Sequence, residues 1–208
     1  MSANHNHNQS HDHSSPEAAH DPKYRKILWF ALVVNAAMFA VELGAGFRSG
    51  SVSLLADAID FLGDAANYGV SLAVLTMAMA WRSKAALLKG VCMLGFGIFV
   101  FGRAIWVAQT GGIPEASTMG LIGFIALAAN VTVALLLYNY RTGDANMRSV
   151  WLCSRNDAFG NIAVMLAALG VFGTRSAWPD LIVAIGMAAL AIWGGWSVIK
   201  HARLELKT

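Results

Sequence analysis

Long apolar runs alternate with short polar breaks along most of this chain. Each run is close to the roughly 20 mostly apolar residues that a membrane-spanning helix needs. The breaks carry glycine, proline and charged residues, which are typical of turns. The pattern therefore predicts an all-α membrane protein with six transmembrane helices, over residues 27–47, 51–80, 85–108, 117–140, 150–173 and 179–199. The predicted breaks cover residues 48–50, 82–84, 111–114, 141–144 and 174–179.

The composition agrees with a membrane protein and excludes several other classes. Hydrophobic residues make up 57% of the chain and charged residues 13%, whereas soluble domains are nearer 45–50% and about 25%. A disordered chain, a disulfide-rich secreted domain and a nucleic-acid-binding module are excluded. Residues 1–22 differ, being polar and rich in histidine. We expect a disordered cytoplasmic tail there, a transport domain over 23–203, and a short end over 204–208 without a cytoplasmic domain.

The distribution of lysine and arginine predicts the orientation of the chain. These residues concentrate at the two termini and in the breaks after the second and fourth runs, and only Arg48 and Arg175 fall in the other breaks. Cytoplasmic loops carry the excess of basic residues, so both termini are expected in the cytoplasm. An even number of spans also requires both termini on one side. We expect an integral protein of the bacterial cytoplasmic (inner) membrane.

Acidic residues inside the predicted spans need a reason. The second span contains Asp57, Asp60 and Asp64, and the fifth contains Asp157. Each would cost about 2.5–3.5 kcal/mol near the centre of a bilayer. Asp60 and Asp64 are four residues apart and share a helix face, with Asp57 close to the same stripe. The pair Cys153 and Asp157 repeats that spacing in the fifth span.

If the two helices face each other, three carboxylates and a thiol come together near the middle of the membrane. The predicted metal ligands are Asp60, Asp64, Cys153 and Asp157. A tetrahedral set of this kind suits zinc, and a thiolate shifts the preference toward softer ions such as cadmium. Two plainer interpretations stay open. A buried aspartate also hydrogen-bonds to a neighbouring helix, and a buried cysteine also serves as a small apolar side chain.

Further polar residues are expected to support this site. Asp57 is interpreted as a residue behind the ligands or a proton carrier, with a ligand or cap role as alternatives. Asn35 and Glu42 share one side of the first span, and Asn161 lies one turn beyond Asp157. The asparagines, Asn130 among them, are expected to bond between helices. In the tail, neutral imidazoles favour a weak metal-gathering site, made by His5, His7, His11, His13 and His20.

These residues resemble the cation diffusion facilitator (cation efflux) family. The resemblance rests on six spans, the histidine-rich tail and the segment Leu54-Leu55-Ala56-Asp57-Ala58-Ile59-Asp60 leading to Asp64. That family has an [HD]xxxD motif on its second and fifth spans. Here Asp60-xxx-Asp64 matches the first, and Cys153-xxx-Asp157 departs from the second by its cysteine. The chain also resembles a short member that lacks the family's C-terminal cytoplasmic domain.

The resemblance implies a homodimeric exporter that exchanges a divalent metal for protons by alternating access. Chemistry leads to the same coupling, because crowded carboxylates repel and at least one should hold a proton until metal binding releases it. We expect Zn²⁺, with Cd²⁺ as a competing substrate, and no tightly bound cofactor. The expected partners are divalent ions, protons, the bilayer and a second copy of the chain, but no nucleic acid.

Three other functions are compatible with a membrane protein of this kind: an enzyme, a channel, and a sensor or partner subunit. An enzyme is disfavoured because no histidine in the predicted spans can act as a base for Cys153. A channel is disfavoured because clustered acids hold a divalent ion too tightly for rapid passage. The alternative kept open is a non-transporting metal sensor or a partner subunit of another transporter, because the fifth-span motif is altered.

Overall fold

The structure, a computed structural model, describes residues 22–73, 79–142 and 145–205. These residues form six α-helices and one short 3₁₀ helix. The α-helices are α1 (Pro22–Ser49), α2 (Val52–Ala73), α3 (Met79–Thr110), α4 (Ala116–Leu137), α5 (Ala145–Thr174) and α6 (Trp178–Glu205), and the 3₁₀ helix Tyr138–Tyr140 follows α4. The all-helical prediction is confirmed. The predicted tail, with its five histidines, lies outside the described residues except for Pro22.

Five of the six helices are long and apolar enough to cross a membrane. They are α1, α3, α4, α5 and α6. The remaining helix, α2, has 22 residues and is about 33 Å long at 1.5 Å per residue, which would also reach across a bilayer. It differs from the others because it carries Asp57, Asp60 and Asp64.

Two predicted boundaries are wrong. The second span was expected to run to residue 80, but α2 ends at Ala73 and α3 already begins at Met79. The predicted break at residues 82–84 therefore lies inside α3. At the end of the chain, α6 continues to Glu205 and so includes His201, although no histidine was expected in a span.

The turns at one end of the bundle follow the expected chemistry. Gly50 and Gly111 adopt positive φ angles of 72° and 74° directly after α1 and α3, and glycine reaches this region without steric cost. The backbone N–H of Glu115, just before α4, donates to the carbonyl of Ser49 at 2.9 Å. This bond joins the turn between α1 and α2 to the start of α4.

The helices pack so that α2 lies inside the bundle. The closest pairings join α3 with α6, α1 with α2, and α4 with α5, and α2 also contacts α3, α5 and α6. Its first eight residues, Val52 to Ile59, are all buried. The apolar side chains exposed at the outer surface belong to the other helices, among them Phe172 on α5 and Trp193 on α6. The polar helix is thus enclosed by protein, and apolar helices face outward.

Glycines allow α3 and α6 to approach closely. A Cβ atom at Gly195 would lie 2.8 Å from the backbone nitrogen of Leu94 and 2.9 Å from the carbonyl oxygen of Gly90. Further along α6, Ala184 and Ala188 belong to a buried apolar cluster that also contains residues of α2 and α3. This close packing fixes α6 beside α2 and α3.

Candidate functional site

The three aspartates of α2 differ in exposure. Asp57 and Asp64 are buried, and Asp60 between them is half-buried. They lie on the part of α2 that faces other helices rather than the outer surface. The structure therefore places all three carboxyl groups inside the bundle, as their spacing predicts.

Asp64 is the point at which α2 meets the predicted ligands of α5. Its carboxyl group lies within hydrogen-bonding reach of the side chains of Asp157 and Cys153. Both α5 side chains are half-buried. The α2 and α5 pairs were expected to face each other, and Asp64, Asp157 and Cys153 do so. Asp60 lies close enough for its charge to act on Asp64 and Asp157.

The predicted ligands lie near one another, but their side chains do not converge on a single position where a metal ion would sit. Among the residues that the structure describes, no group of three or more histidine, cysteine, aspartate or glutamate side chains is arranged to hold a metal ion. A divalent ion would therefore need small side-chain movements to draw in Asp60, Asp64, Cys153 and Asp157 together.

A hydroxyl chain supports Asp64 from the side of α5. Tyr68, which is fully buried, donates its hydroxyl proton to Asp64 Oδ2 at 3.0 Å. The same hydroxyl oxygen lies 2.5 Å from Ser154 Oγ. Ser154 Oγ in turn donates to the carbonyl oxygen of Val150 at 3.4 Å, so the chain of hydroxyl groups ends on the backbone of α5. Neither residue was singled out from the sequence, although Tyr68 is four residues after Asp64 and thus on the same helix face.

A lysine and an asparagine complete the cluster, and both were missed. Asn67 lies seven residues after Asp60, and its Nδ2 donates to Cys153 Sγ at 3.7 Å. Lys89 on α3 is half-buried, and its Nζ donates to Asn67 Oδ1. The charge of Lys89 acts on the Asp64 and Asp157 carboxyl groups. Spacing on α2 was a usable signal for Asn67, whereas no spacing within α3 relates Lys89 to the acids of α2 and α5.

A second polar network lies beside the cluster. Asn161 Nδ2 donates to Asp57 Oδ2 at 2.7 Å, and Asn130 Nδ2 donates to Asn161 Oδ1 at 2.9 Å. These bonds join α4, α5 and α2, so the expected helix-to-helix bonds of Asn130 and Asn161 are present. Asn35 differs, because its Nδ2 donates to Ala31 O within α1 at 2.8 Å.

Glu42 of α1 faces this network and is fully buried. Its carboxyl group lies within hydrogen-bonding reach of Asp57. In the described part of the chain, neither Glu42 oxygen nor Asp57 Oδ1 has a donor as partner. Two carboxyl groups form a hydrogen bond only when they share a proton. Such a pair can hold one proton between its two carboxyl groups.

Comparison with known proteins identifies a family model and several relatives that are similar to this chain. The family model of the cation efflux transmembrane domain matches residues 28–206. The zinc transporter ZitB of Escherichia coli is 28% identical over 212 residues, which cover 95% of this chain and 67% of ZitB. A cadmium, cobalt and zinc/H(+)-K(+) antiporter of Bacillus velezensis is 26% identical over 196 residues, which cover 86% of this chain and 61% of the antiporter.

A third relative is more distant. The metal cation efflux system protein CzcD of Cupriavidus metallidurans is 21% identical over 205 residues, covering 93% of this chain and 63% of CzcD. This chain thus spans about two thirds or less of the length of these curated relatives. All three relatives are named for transport or efflux of ions, and none is named as an enzyme.

Proposed function

Because the chain belongs to the cation efflux family of integral membrane proteins, we propose that it exports a divalent metal cation across a bacterial inner membrane. It would act as a secondary transporter and not as an enzyme. The observation that carries this proposal is the meeting of Asp64 with Asp157 and Cys153 between α2 and α5. Ionisable side chains inside a membrane domain mark ion pathways, and carboxylates and a thiol are ligands that bind a divalent cation.

Zinc is the proposed substrate, and cadmium is the competing one. The relatives named above transport zinc in one case and cadmium, cobalt and zinc in another. Oxygen and sulfur ligands in a four-membered set suit Zn²⁺. The Cys153 thiolate would favour a softer ion more than the imidazole or carboxylate that it replaces in the family motif.

Proton exchange is proposed as the driving reaction. A metal binds to deprotonated ligands, so its arrival releases protons from the carboxyl groups and thiol of the cluster. The Glu42–Asp57 pair would retain a proton beside the site, because the two buried carboxyl groups can bond to each other only through one. Asn161 links this pair to α5 through its bond to Asp57.

The proposed topology has six spans, with both termini in the cytoplasm. It treats α2 as a membrane-crossing helix that is tolerated because other helices enclose it. Alternating access would then open the α2–α5 contact first to one side of the membrane and then to the other.

A second candidate function is a sensor or partner subunit that binds metal without transporting it. The observation in its favour is Cys153, which stands where the family motif has histidine or aspartate. Transport assays separate the two functions, since only an exporter moves metal against its gradient.

The deciding experiment is metal flux into proteoliposomes with an imposed pH gradient. Zn²⁺, Cd²⁺, Mn²⁺, Fe²⁺ and Co²⁺ are compared for the unaltered protein and for Asp64→Asn, which keeps an acceptor for Tyr68 but removes the charge. The exposed Glu115→Ala is the matched control for loss of an acid. We expect gradient-driven zinc flux that Asp64→Asn abolishes and Glu115→Ala retains. A folded protein that moves none of these ions would refute export and favour the second candidate.

A further inference from the structure

One positive charge lies within the acidic cluster, on a helix that supplies none of the predicted ligands. Lys89 extends from α3 toward α2, where its Nζ donates to Asn67 Oδ1. Asn67 in turn donates to Cys153 Sγ at 3.7 Å. The ammonium group is thus connected through one amide to a predicted metal ligand on α5.

The stem of Lys89 lies along α2. Gly63 lies between Asp60 and Asp64 in the sequence, and a Cβ atom there would be 3.8 Å from Lys89 Cε, an ordinary van der Waals distance. The lysine therefore passes over α2 at the level of the two acids. This contact and the bond to Asn67 both place the ammonium group beside the cluster.

The charged and ionisable groups around Lys89 come from two helices. From α2 they are Asp60 and Asp64, and from α5 they are Asp157 and Cys153. Three ionised carboxylates and the thiolate of Cys153 with one divalent ion leave a net charge of −2. The ammonium group of Lys89 reduces it to −1, so the lysine and the metal act on the same ligand charges.

We propose that Lys89 is a resident cation that limits the affinity of the transport site and thereby allows release of the metal. The inference rests on the proposed function, because it assumes that the cluster binds the transported ion. Two positive charges near the same carboxylates repel each other. The lysine therefore weakens metal binding, and a transporter needs this weakness in order to let the ion go.

The alternative is that Lys89 only packs α3 against α2. The two roles predict opposite results when the charge is removed. Loss of a packing residue loosens the arrangement of the ligands and lowers metal affinity. Loss of a repelling charge raises metal affinity, since the carboxylates then act on the metal alone.

The test measures metal binding directly, by titration calorimetry of the whole purified chain in detergent with Zn²⁺ and with Cd²⁺. Lys89→Met and Lys89→Gln both remove the charge, and the glutamine keeps an amide that can bond to Asn67. Lys89→Arg retains the charge. Lys84→Met is the matched control, because Lys84 is exposed on the same helix.

We expect both uncharged variants to bind metal about tenfold more tightly or better, which corresponds to about 1.4 kcal/mol. The arginine variant and the Lys84→Met control should stay within about threefold of the unaltered protein, since an exposed charge is screened by salt. In proteoliposomes, the uncharged variants should show a lower KM together with a lower maximal rate, because release becomes slow.

The results distinguish failure of the role of Lys89 from failure of the proposed function. Unchanged or weaker binding in a folded Lys89→Gln protein overturns the role of Lys89 and leaves the proposed function standing. Tighter binding in the Lys84→Met control to the same degree also overturns it, because the effect would then be a general one of net charge. An unaltered protein that binds neither ion overturns the proposed function and this inference with it.

Discussion

The stability of the bundle should depend on one buried aspartate of α6. Asp180 is fully buried and accepts four hydrogen bonds from the start of α2. Its Oδ1 accepts from Ser51 Oγ at 2.7 Å, from Ser53 N at 3.1 Å and from Ser53 Oγ at 2.6 Å. Its Oδ2 accepts from Val52 N at 2.8 Å. The first backbone N–H groups of a helix have no partner within the helix, and here a side chain from another helix provides it.

Two substitutions of Asp180 should differ in a defined way. Asp180→Ala removes the acceptor of all four bonds, and at about 1 kcal/mol for each bond the loss is about 4 kcal/mol. Asp180→Asn keeps an oxygen in the place of Oδ1 and so retains three bonds. Its amide nitrogen faces the N–H of Val52, which loses one bond and costs about 1–3 kcal/mol. The alanine variant should therefore be clearly the less stable one.

Thermal unfolding in detergent measures this difference. A thiol-reactive dye reports unfolding, because Cys92 and Cys153 are both free and only partly accessible in the fold. At about 2–4 °C for each kcal/mol, Asp180→Ala should lower the midpoint by about 8–16 °C. Glu115→Ala removes an exposed acid at the start of α4 and should change the midpoint little.

Two results would refute this reasoning. The first is an Asp180→Ala midpoint within about 2 °C of the unaltered protein, a shift too small for four lost bonds on this scale. The second is equal destabilisation by alanine and asparagine. That result would mean that the negative charge, and not the number of accepted bonds, stabilises the start of α2.

Further substitutions test the packing and the site. Gly195→Ala should destabilise the bundle, because a Cβ atom there would lie 2.8 Å from the backbone nitrogen of Leu94 in α3. A Cβ atom at Gly186 would have nothing within 4 Å, so the control Gly186→Ala should be tolerated. Thermal unfolding midpoints of the two variants measure the difference. Asn161→Leu removes two buried hydrogen bonds and should lower stability by about 2–4 kcal/mol, an expectation that an unchanged midpoint contradicts. Cys153→His should raise the ratio of zinc to cadmium affinity, and an unchanged ratio means that the thiol is no ligand. Metal affinity should fall as the pH is lowered from about 7.5 to 5.5, because protons compete for the ligands; calorimetry showing no dependence on pH would argue against proton exchange.

The sequence predicts best where a residue acts through its own helix. The i, i+4 spacings pointed to Asp64 and Asp157, and the structure places their carboxyl groups together. Gly50 and Gly111 marked helix ends because a positive φ angle is a local property of the chain. The i, i+4 spacing and the glycine at a helix end both depend on only a few consecutive residues.

Other features depend on which helices become neighbours. Asp180 accepts bonds from residues 127 to 129 positions away, and no local pattern indicates that pairing. The end of α2 was also misplaced, because an apolar composition continues from α2 into α3 without a glycine or proline to divide them. Lys89 was missed for the same reason as Asp180, because it lies on another helix, α3, and no spacing within one helix relates it to the acids.

The composition of α2 explains both its position and its use. As an isolated helix in lipid it would place three aspartates among hydrocarbon tails, at a cost of about 7.5–10.5 kcal/mol. Inside the bundle, Asp57 is bonded to Asn161, Asp64 is bonded to Tyr68, and the charge of Lys89 acts on Asp60 and Asp64. The other five helices are apolar enough to provide the membrane anchor. The same carboxyl groups that make α2 unsuited to lipid are therefore those that a divalent cation can bind, and enclosing them between α1, α3, α5 and α6 is what lets a membrane protein carry them.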